Sequence, residues 1–423
     1  ETLISDYVSA MKWDGVTCLL AELRVVEVGV DDVVLDVQDI KQFSDPWGTL
    51  EYDSATDWYP QNPTISRWGC ALTSTAMVLK YYKHDINPDA LNEWLNAQDD
   101  GYTRNGGIIW PALSRLTFLR NAYDNSLPIL EFAYLNFAED TLKNEVQNNR
   151  PGILKLVKPI YDTNGNIINY STHFIVGKGY NDTDIFINDP GKDGHTTLSQ
   201  ANSYWGSTSK IGLFKKTETD LSYIVLYIND CFDIEISDES GETVENINNF
   251  HEEPLADPEN PESESGVETL NAFYFPKPET GSYIIEVYGD GLYRLDYYIY
   301  DQEGSVQTGN SLGILSGNQT NEYTIEFDKN DEDMTQVPKI SLLTALSFWE
   351  DMYKNKYFEN QGLYLSVKQL LENSYKNFGK NFSPRILLEN ILKMLGNHGN
   401  QYVDGDALSY FKYQIGYLLA QYD

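Results

Sequence analysis

The sequence predicts an α+β domain followed by a small antiparallel β-sandwich and a C-terminal helical bundle. Three observations carry this reading. Helix-patterned segments precede strand-patterned ones between Gln42 and Thr219, apolar residues then alternate in period two, and after Pro338 the apolar spacing becomes that of amphipathic helices. At 423 residues the chain is too long for one ordinary core, so two or three domains are expected, each with enough apolar surface to fold.

Residues 1–41 read as an N-terminal β-hairpin extension. In ELRVVEVGVDDVVLDVQDI two β-branched runs flank Gly29 to Asp32, which supply the turn. Within 42–219, helices are expected at Cys70–Tyr82 and Asp89–Ala97, and strands at Gly152–Val157 and His173–Tyr180. From 220 to 337, text such as GSYIIEVYGDGLYRLDYYIYDQEG alternates between turns of Gly, Asn and Asp, the pattern of a β-sandwich. The stretch His251–Thr269 is rich in Pro, Glu and Ser, cannot bury a core, and reads as a loop or linker.

Residues 338–423 carry four helical patterns: LLTALSFWEDMY, LYLSVKQLLENSY, SPRILLENILKML and DALSYFKYQIGYLLAQY. Ser383 before Pro384 offers an N-cap and a favourable first helical residue, and Asp404 or Asp406 can cap the last helix. This bundle loosely resembles the small FIMAH-type helical domains appended to bacterial secreted proteins.

The formal charge of −34 argues against nucleic acid or an anionic membrane as partner, because both need a basic surface. No apolar run approaches the ~18 residues of a transmembrane helix, so no membrane insertion is expected. The first residues, Glu-Thr-Leu, lack the basic start of a signal peptide, and the expectation is that one has been removed. Cys18, Cys70 and Cys231 are too few for a disulfide framework or a zinc cluster. Cys18 and Cys231 are open to two readings, one long-range disulfide or two small buried thiols.

Cys70 is different. It follows Gly69 and heads the apolar run CALTSTAMVLKYY, whose residues are apolar around most of a helix circumference. A thiolate is favoured at a helix N-terminus by the partial positive charge there, so this position suits a nucleophile as well as a core residue. A nucleophilic cysteine also needs a histidine base and a group that orients it. Of five histidines, His84, His251 and His398 lie in polar text and read as solvated. His173 opens the strand HFIVGKGY, and His195 in GKDGHTT is its competitor as base. A second strand, IFINDPG, follows. With an odd connecting loop of three residues, Asn181 to Thr183, Asp189 falls opposite Ile175 and on the same face as His173; an even loop sends them to opposite faces.

Three segments together resemble a known family: IKQFSDPWGTLEYD, ISRWGCALTSTAMVLKYY and STHFIVGKGYNDTDIFINDPG. They are similar to the papain-like cysteine peptidases of the bacteriocin-leader (double-glycine) type, especially stand-alone bacterial members without a transporter. The resemblance spans roughly Gln42 to Thr219 and implies an α+β papain-like cysteine protease domain there. It also implies Cys70 as nucleophile, His173 as general base, Asp189 as the group orienting the imidazole, and Gln42 as an oxyanion-hole donor. In transporter-linked relatives the glutamine lies a few residues before the cysteine, whereas 27 residues separate them here, so Gln61 in WYPQNP is an alternate. Gly-Cys-Ala also stands where the family has Gly-Cys-Gly.

The expected activity is thiol-dependent hydrolysis of a peptide or other amide bond through a thioester. That chemistry needs no metal or organic cofactor. The alternatives are acyl transfer to an amine and an inactive papain-like binding module. The expected setting is extracellular or on a bacterial cell surface, with a peptide or protein substrate and accessory domains that bind a protein or cell-wall partner. NGGIIWP lacks a phosphate-loop lysine, and FDKNDEDM lacks the glycine and closing glutamate of a calcium loop.

Overall fold

The computed structural model describes residues 7–13, 16–22, 32–161, 164–218, 220–245, 247–252, 269–317, 319–377, 384–396 and 403–421. Strands β1 (Tyr7–Trp13) and β2 (Val16–Glu22) pair antiparallel with Trp13 opposite Val16. The hairpin therefore lies upstream of the expected one. The turn at Gly29 to Asp32 falls mostly outside the described residues, and its second run forms β3 (Val33–Val34) on β6 (Ile167–Tyr180), where Val33 faces Tyr180. The β-branched pair has found an edge of a larger sheet.

Next come short helices α1 (Ala55–Trp58) and α2 (Ile65–Trp68), then α3 (Cys70–Tyr81), α4 (Pro88–Asn96) and α5 (Trp110–Tyr123). Every side chain of α3 from Cys70 to Leu79 is buried, as an apolar circumference requires. Pro88 and Pro111 sit in first turns, where the missing N–H leaves no intrahelical bond unmade. After α5 follow β4 (Ile129–Asn136), α6 (Glu139–Gln147), β5 (Gly152–Tyr161), β6, β7 (Ile185–Asn188), α7 (Leu198–Trp205) and β8 (Ser207–Thr217). The sheet runs β3-β6-β5-β8-β4, with β7 added on β6. Ser74 Oγ donates to the Phe174 carbonyl at 3.2 Å, pinning α3 to β6 inside a shared apolar core.

Strands β9 (Tyr223–Asn229), β10 (Asp233–Ser237), β11 (Asn248–Glu252), β12 (Leu270–Pro276), β13 (Gly281–Tyr288), β14 (Gly291–Tyr300), β15 (Val306–Leu315) and β16 (Asn321–Phe327) form two antiparallel sheets. Their orders are β11-β12-β9-β14-β15 and β10-β13-β16. The linker expected at His251–Thr269 starts later, because His251 and Glu252 pair within β11; residues 253–268 lie outside the described ones. All of β9 is buried. Ile224, Leu226 and Ile228 pack against the smaller sheet, while Tyr223, Val225 and Tyr227 join the core built around α3. The alternation of a strand thus serves two cores, and neither face of the larger sheet's centre is left to solvent.

Polar contacts reinforce that junction: Tyr300 Oη donates to Asp100 at 2.9 Å, Lys277 pairs with Glu131 at 2.7 Å, and Arg104 pairs with Asp296. Finally, α8 (Leu342–Lys354), α9 (Gln361–Asn377), α10 (Arg385–Met394) and α11 (Gly405–Ala420) share an apolar cluster that reaches Ile314 of β15. Ser341 caps α8 with a capping box, and Asp404 caps α11 by accepting from the Asp406 and Ala407 amides. Pro384 is itself the N-cap of α10, one position later than expected, and Ser383 lies outside the described residues. Among the described residues no helix is long and apolar enough to cross a membrane.

Candidate active site

Cys70 is the first residue of α3, with Gly69 as its N-cap. The glycine is required by α2, which folds back so closely that a Cβ at position 69 would lie 2.5 Å from Ile65 Cγ2. Cys70 is nearly buried, and its thiol sits at the end of a helix whose first amides have no intrahelical acceptor.

His173 lies on β6 and Asp189 directly follows β7. Tyr180 pairs with Ile185, so four residues, Asn181 to Asp184, make the loop. The odd loop expected from the sequence is therefore wrong. A register shift between Gly177 and Gly179 inserts Lys178, however, and beyond it Val176 pairs with Asn188. The bulge adds the one residue that an even loop lacks, and the pleat then brings Asp189 to the face of His173. His173 Nε2 and Asp189 Oδ1 are 2.7 Å apart.

Asp189 is fully buried and collects four donors. Besides His173, Oδ1 accepts from the Gly191 amide at 2.9 Å, and Oδ2 accepts from Trp205 Nε1 and pairs with His195 Nδ1, both at 2.9 Å. Burial alone pushes this carboxyl up, but the hydrogen bond and charge of His173, with Trp205 and His195, pull it down to about 2. For His173, burial opposes the charged ring, yet hydrogen bonds to Asp189 and to Cys70 raise it to about 9. With Nε2 committed to Asp189, Nδ1 is the ring nitrogen left for the thiol. Trp205 stacks on the imidazole with centroids 3.9 Å apart and 23° between planes, and a Cβ at Gly191 would stand 2.7 Å from its Cε1. The ring is packed between the Trp205 face and the Gly191 backbone at its edge.

Gln42 is tied to both halves of this arrangement. Its backbone amide donates to Pro190 at 3.0 Å, and its Nε2 donates to the Ser66 carbonyl, four residues before Cys70, at 2.7 Å. Its Oε1 is buried with no hydrogen-bond partner among the described residues. Gln61 is exposed in the loop before α2. The structure thus gathers Gln42, Cys70, His173 and Asp189, and leaves Gln61 aside. Lys41 Nζ donates to the Asp189 and Lys192 carbonyls at 2.7 and 3.2 Å, holding the turn after β7.

Other expectations change. His195 does not compete with His173; it shares Asp189 with it. His84 is buried, not solvated: the chain reverses at Lys83, whose φ is 76°, and tucks His84 Nε2 against the Pro128 carbonyl at 2.8 Å. His398 and the side chains of His251 and Cys18 lie outside the described ones, and Cys231 is exposed, not a buried thiol. Sequence reasoning missed Trp205, since only the packing of α7 on β6 brings it to the site.

Residues 36–213 match the model of the Peptidase_C39 like family. A solved structure of a proposed C39-like peptidase from Bacillus anthracis is similar at 18% sequence identity and a TM-score of 0.27, covering 45% of this chain and 100% of that one. No curated protein matches the chain.

Proposed function

We propose that this chain, whose residues 36–213 match the C39-like peptidase family, hydrolyses a peptide bond through Cys70, His173 and Asp189. The observation that carries the reading is His173 itself, paired at 2.7 Å with a buried carboxylate and raised by its neighbours Asp189 and Cys70, the latter at a helix N-terminus. A ring raised to about 9 is protonated at neutral pH and so carries a proton to give to a leaving group.

In the proposed cycle the Cys70 thiolate attacks the carbonyl carbon and forms a C–S bond. The oxyanion is held by the Cys70 backbone N–H and the Gln42 amide, each donor contributing a factor of ~10²–10³ where such groups have been removed. The C–N bond then breaks as His173 donates its proton to the leaving amine. His173 next takes a proton from water, which cleaves the thioester, releases the acid and restores the thiolate. Asp189 keeps the imidazole oriented throughout.

Domain roles complete the proposal. The two sheets of 223–327 act as an accessory β-sandwich and the helices of 342–420 as a bundle, which together bind a protein or cell-wall partner of an extracellular or surface-located bacterial enzyme. What supports this is the shared apolar cluster of the two sheets and the separate cluster of the helices.

The test is the pH dependence of Cys70 alkylation by iodoacetamide, read by mass spectrometry, in the wild type and in His173→Ala. The expected result is rapid labelling well below pH 7 in the wild type and a titration shifted upward in the variant. Labelling of Cys70 like an ordinary thiol of pKa about 8.5 in both proteins overturns the reading.

A further inference from the structure

The edge strands β15 and β16 of the two appended sheets meet α8 and α11 of the bundle at a cleft of about 350 Å³. That volume lies within the range of small-molecule sites, about 300–1,000 Å³. Part of the lining is apolar, with Ile314, Ile340 and Phe348 drawn from the bundle's own core.

Two buried side chains of the lining carry an oxygen that lacks a donor. Asn310 of β15 is 7% exposed; its Nδ2 donates to Tyr413 Oη at 2.9 Å, and its Oδ1 has no hydrogen-bond partner among the described residues. Gln414 of α11 is 1% exposed, and its Oε1 likewise has none among them. A buried acceptor without a donor is costly, so two of them at one cleft call for donors from outside the chain. The charges have the same sense. Among the described residues that line the cleft, Asp351 of α8 and Glu322 of β16 are acidic and Lys339 is basic. Burial pushes the Asp351 carboxyl up against the pull of Lys354, as for an acid whose charge is incompletely compensated.

Acceptors in excess beside an apolar wall suit a positively charged donor on an aliphatic stem. A guanidinium offers five N–H donors and no acceptor, an ammonium three, and such stems pack along apolar surface while the head keeps polar partners. The net charge of −34 draws cations to this chain.

We propose that this cleft binds an amphipathic cation, a guanidinium or primary ammonium on an aliphatic chain, with Asn310, Gln414 and Asp351 receiving the head and Ile314, Ile340 and Phe348 the stem. The site shares no residue with that of Cys70, and the inference goes beyond the peptidase reading.

The test is calorimetry on the full chain with Nα-acetyl-arginine amide, its neutral counterpart Nα-acetyl-citrulline amide, and spermidine, in about 0.15 M salt to screen the overall charge. Expected is binding of the arginine derivative or of spermidine about tenfold or more tighter than that of the citrulline derivative, the scale of hydrogen bonds to a charged group. That advantage disappears in Asp351→Asn and in Gln414→Leu. Whichever cation binds more tightly names the source, a protein side chain or a free polyamine. Should Gln414→Leu fail to fold, Asp351→Asn decides, since Asp351 is only half-buried. Equal affinity for cation and citrulline derivative, an advantage that survives Asp351→Asn, or no binding of any of the three, which leaves water alone on the two oxygens, overturns the site. None of these readouts involves cleavage, so the peptidase reading stands or falls separately.

Discussion

On one face of β6 His173 meets a buried carboxylate, Asp189, which three further groups also hold; on the other, Phe174 stands opposite Lys155 of β5 at a small cavity in the core. Both side chains are buried. The anion is locked by His173, His195, Trp205 and the Gly191 amide, so its geometry is set before any substrate arrives. Lys155 lines a small cavity in the core. The difference is one of preorganisation: on one face several groups fix a carboxylate in advance, and on the other the packing leaves a small space.

Breaking the anionic side should have the largest effect. Asp189→Asn keeps the shape but removes the charge that raises His173, and kcat is expected to fall by ~10³–10⁴, as when an orienting carboxylate is lost elsewhere. The pH signature is specific. His173 titrates above its ordinary value, so the protonated ring and its stabilisation of the fold are fully present below pH 6.5 and are lost as pH rises through about 9. Asp189, held at about 2, contributes stability above its ordinary 3.8 that is lost as pH falls toward 2. In Asp189→Asn the alkaline limb of Cys70 labelling should therefore move down from about 9; an unmoved limb would mean that the carboxylate does not control the ring.

Gln42→Ala probes the link between the halves. Its expected loss is ~10²–10³ in kcat with little change in KM, because an oxyanion donor acts in the transition state. Gln61→Ala in the same assay should match the wild type, and the reverse pattern would transfer the role to Gln61. The smallest effect is expected from Trp205→Phe. The ring stays stacked on His173 while one of four donors to Asp189 disappears, a change of about 1–2 kcal/mol that should lower kcat several-fold. A loss as large as that of Asp189→Asn would show that stacking and charge cannot be separated here.

Much of the site could be read along the chain because the signals are local. The apolar circumference after Gly69 marks a buried helix that starts at Cys70, and HFIVGKGY marks a strand with His173 near one end. The pairing of β6 with β7 could not be read the same way. Counting the loop as three residues places Asp189 correctly for a wrong reason, since four loop residues and an inserted Lys178 have the same net parity. Polar neighbours, Lys83 and Asp85, describe only the segment around His84, while its burial is decided by what packs on it, here Pro128. In β9 the run YIVLYIN was itself a signal, continuous apolar text where a half-exposed strand would alternate.

Helix and strand identity, the cysteine at a helix start and the acidic character of the chain follow from sequence alone, because each depends on residues close together or on composition. Tertiary structure alone decided the two buried charges. Which donors reach Asp189 depends on α7 and the turn after β7 folding back onto β6, and whether Lys155 faces a cavity depends on Tyr227, 72 residues later in the chain, arriving from the appended sheet. Such contacts arise from the closure of long loops around a common core, and local patterning carries no record of them.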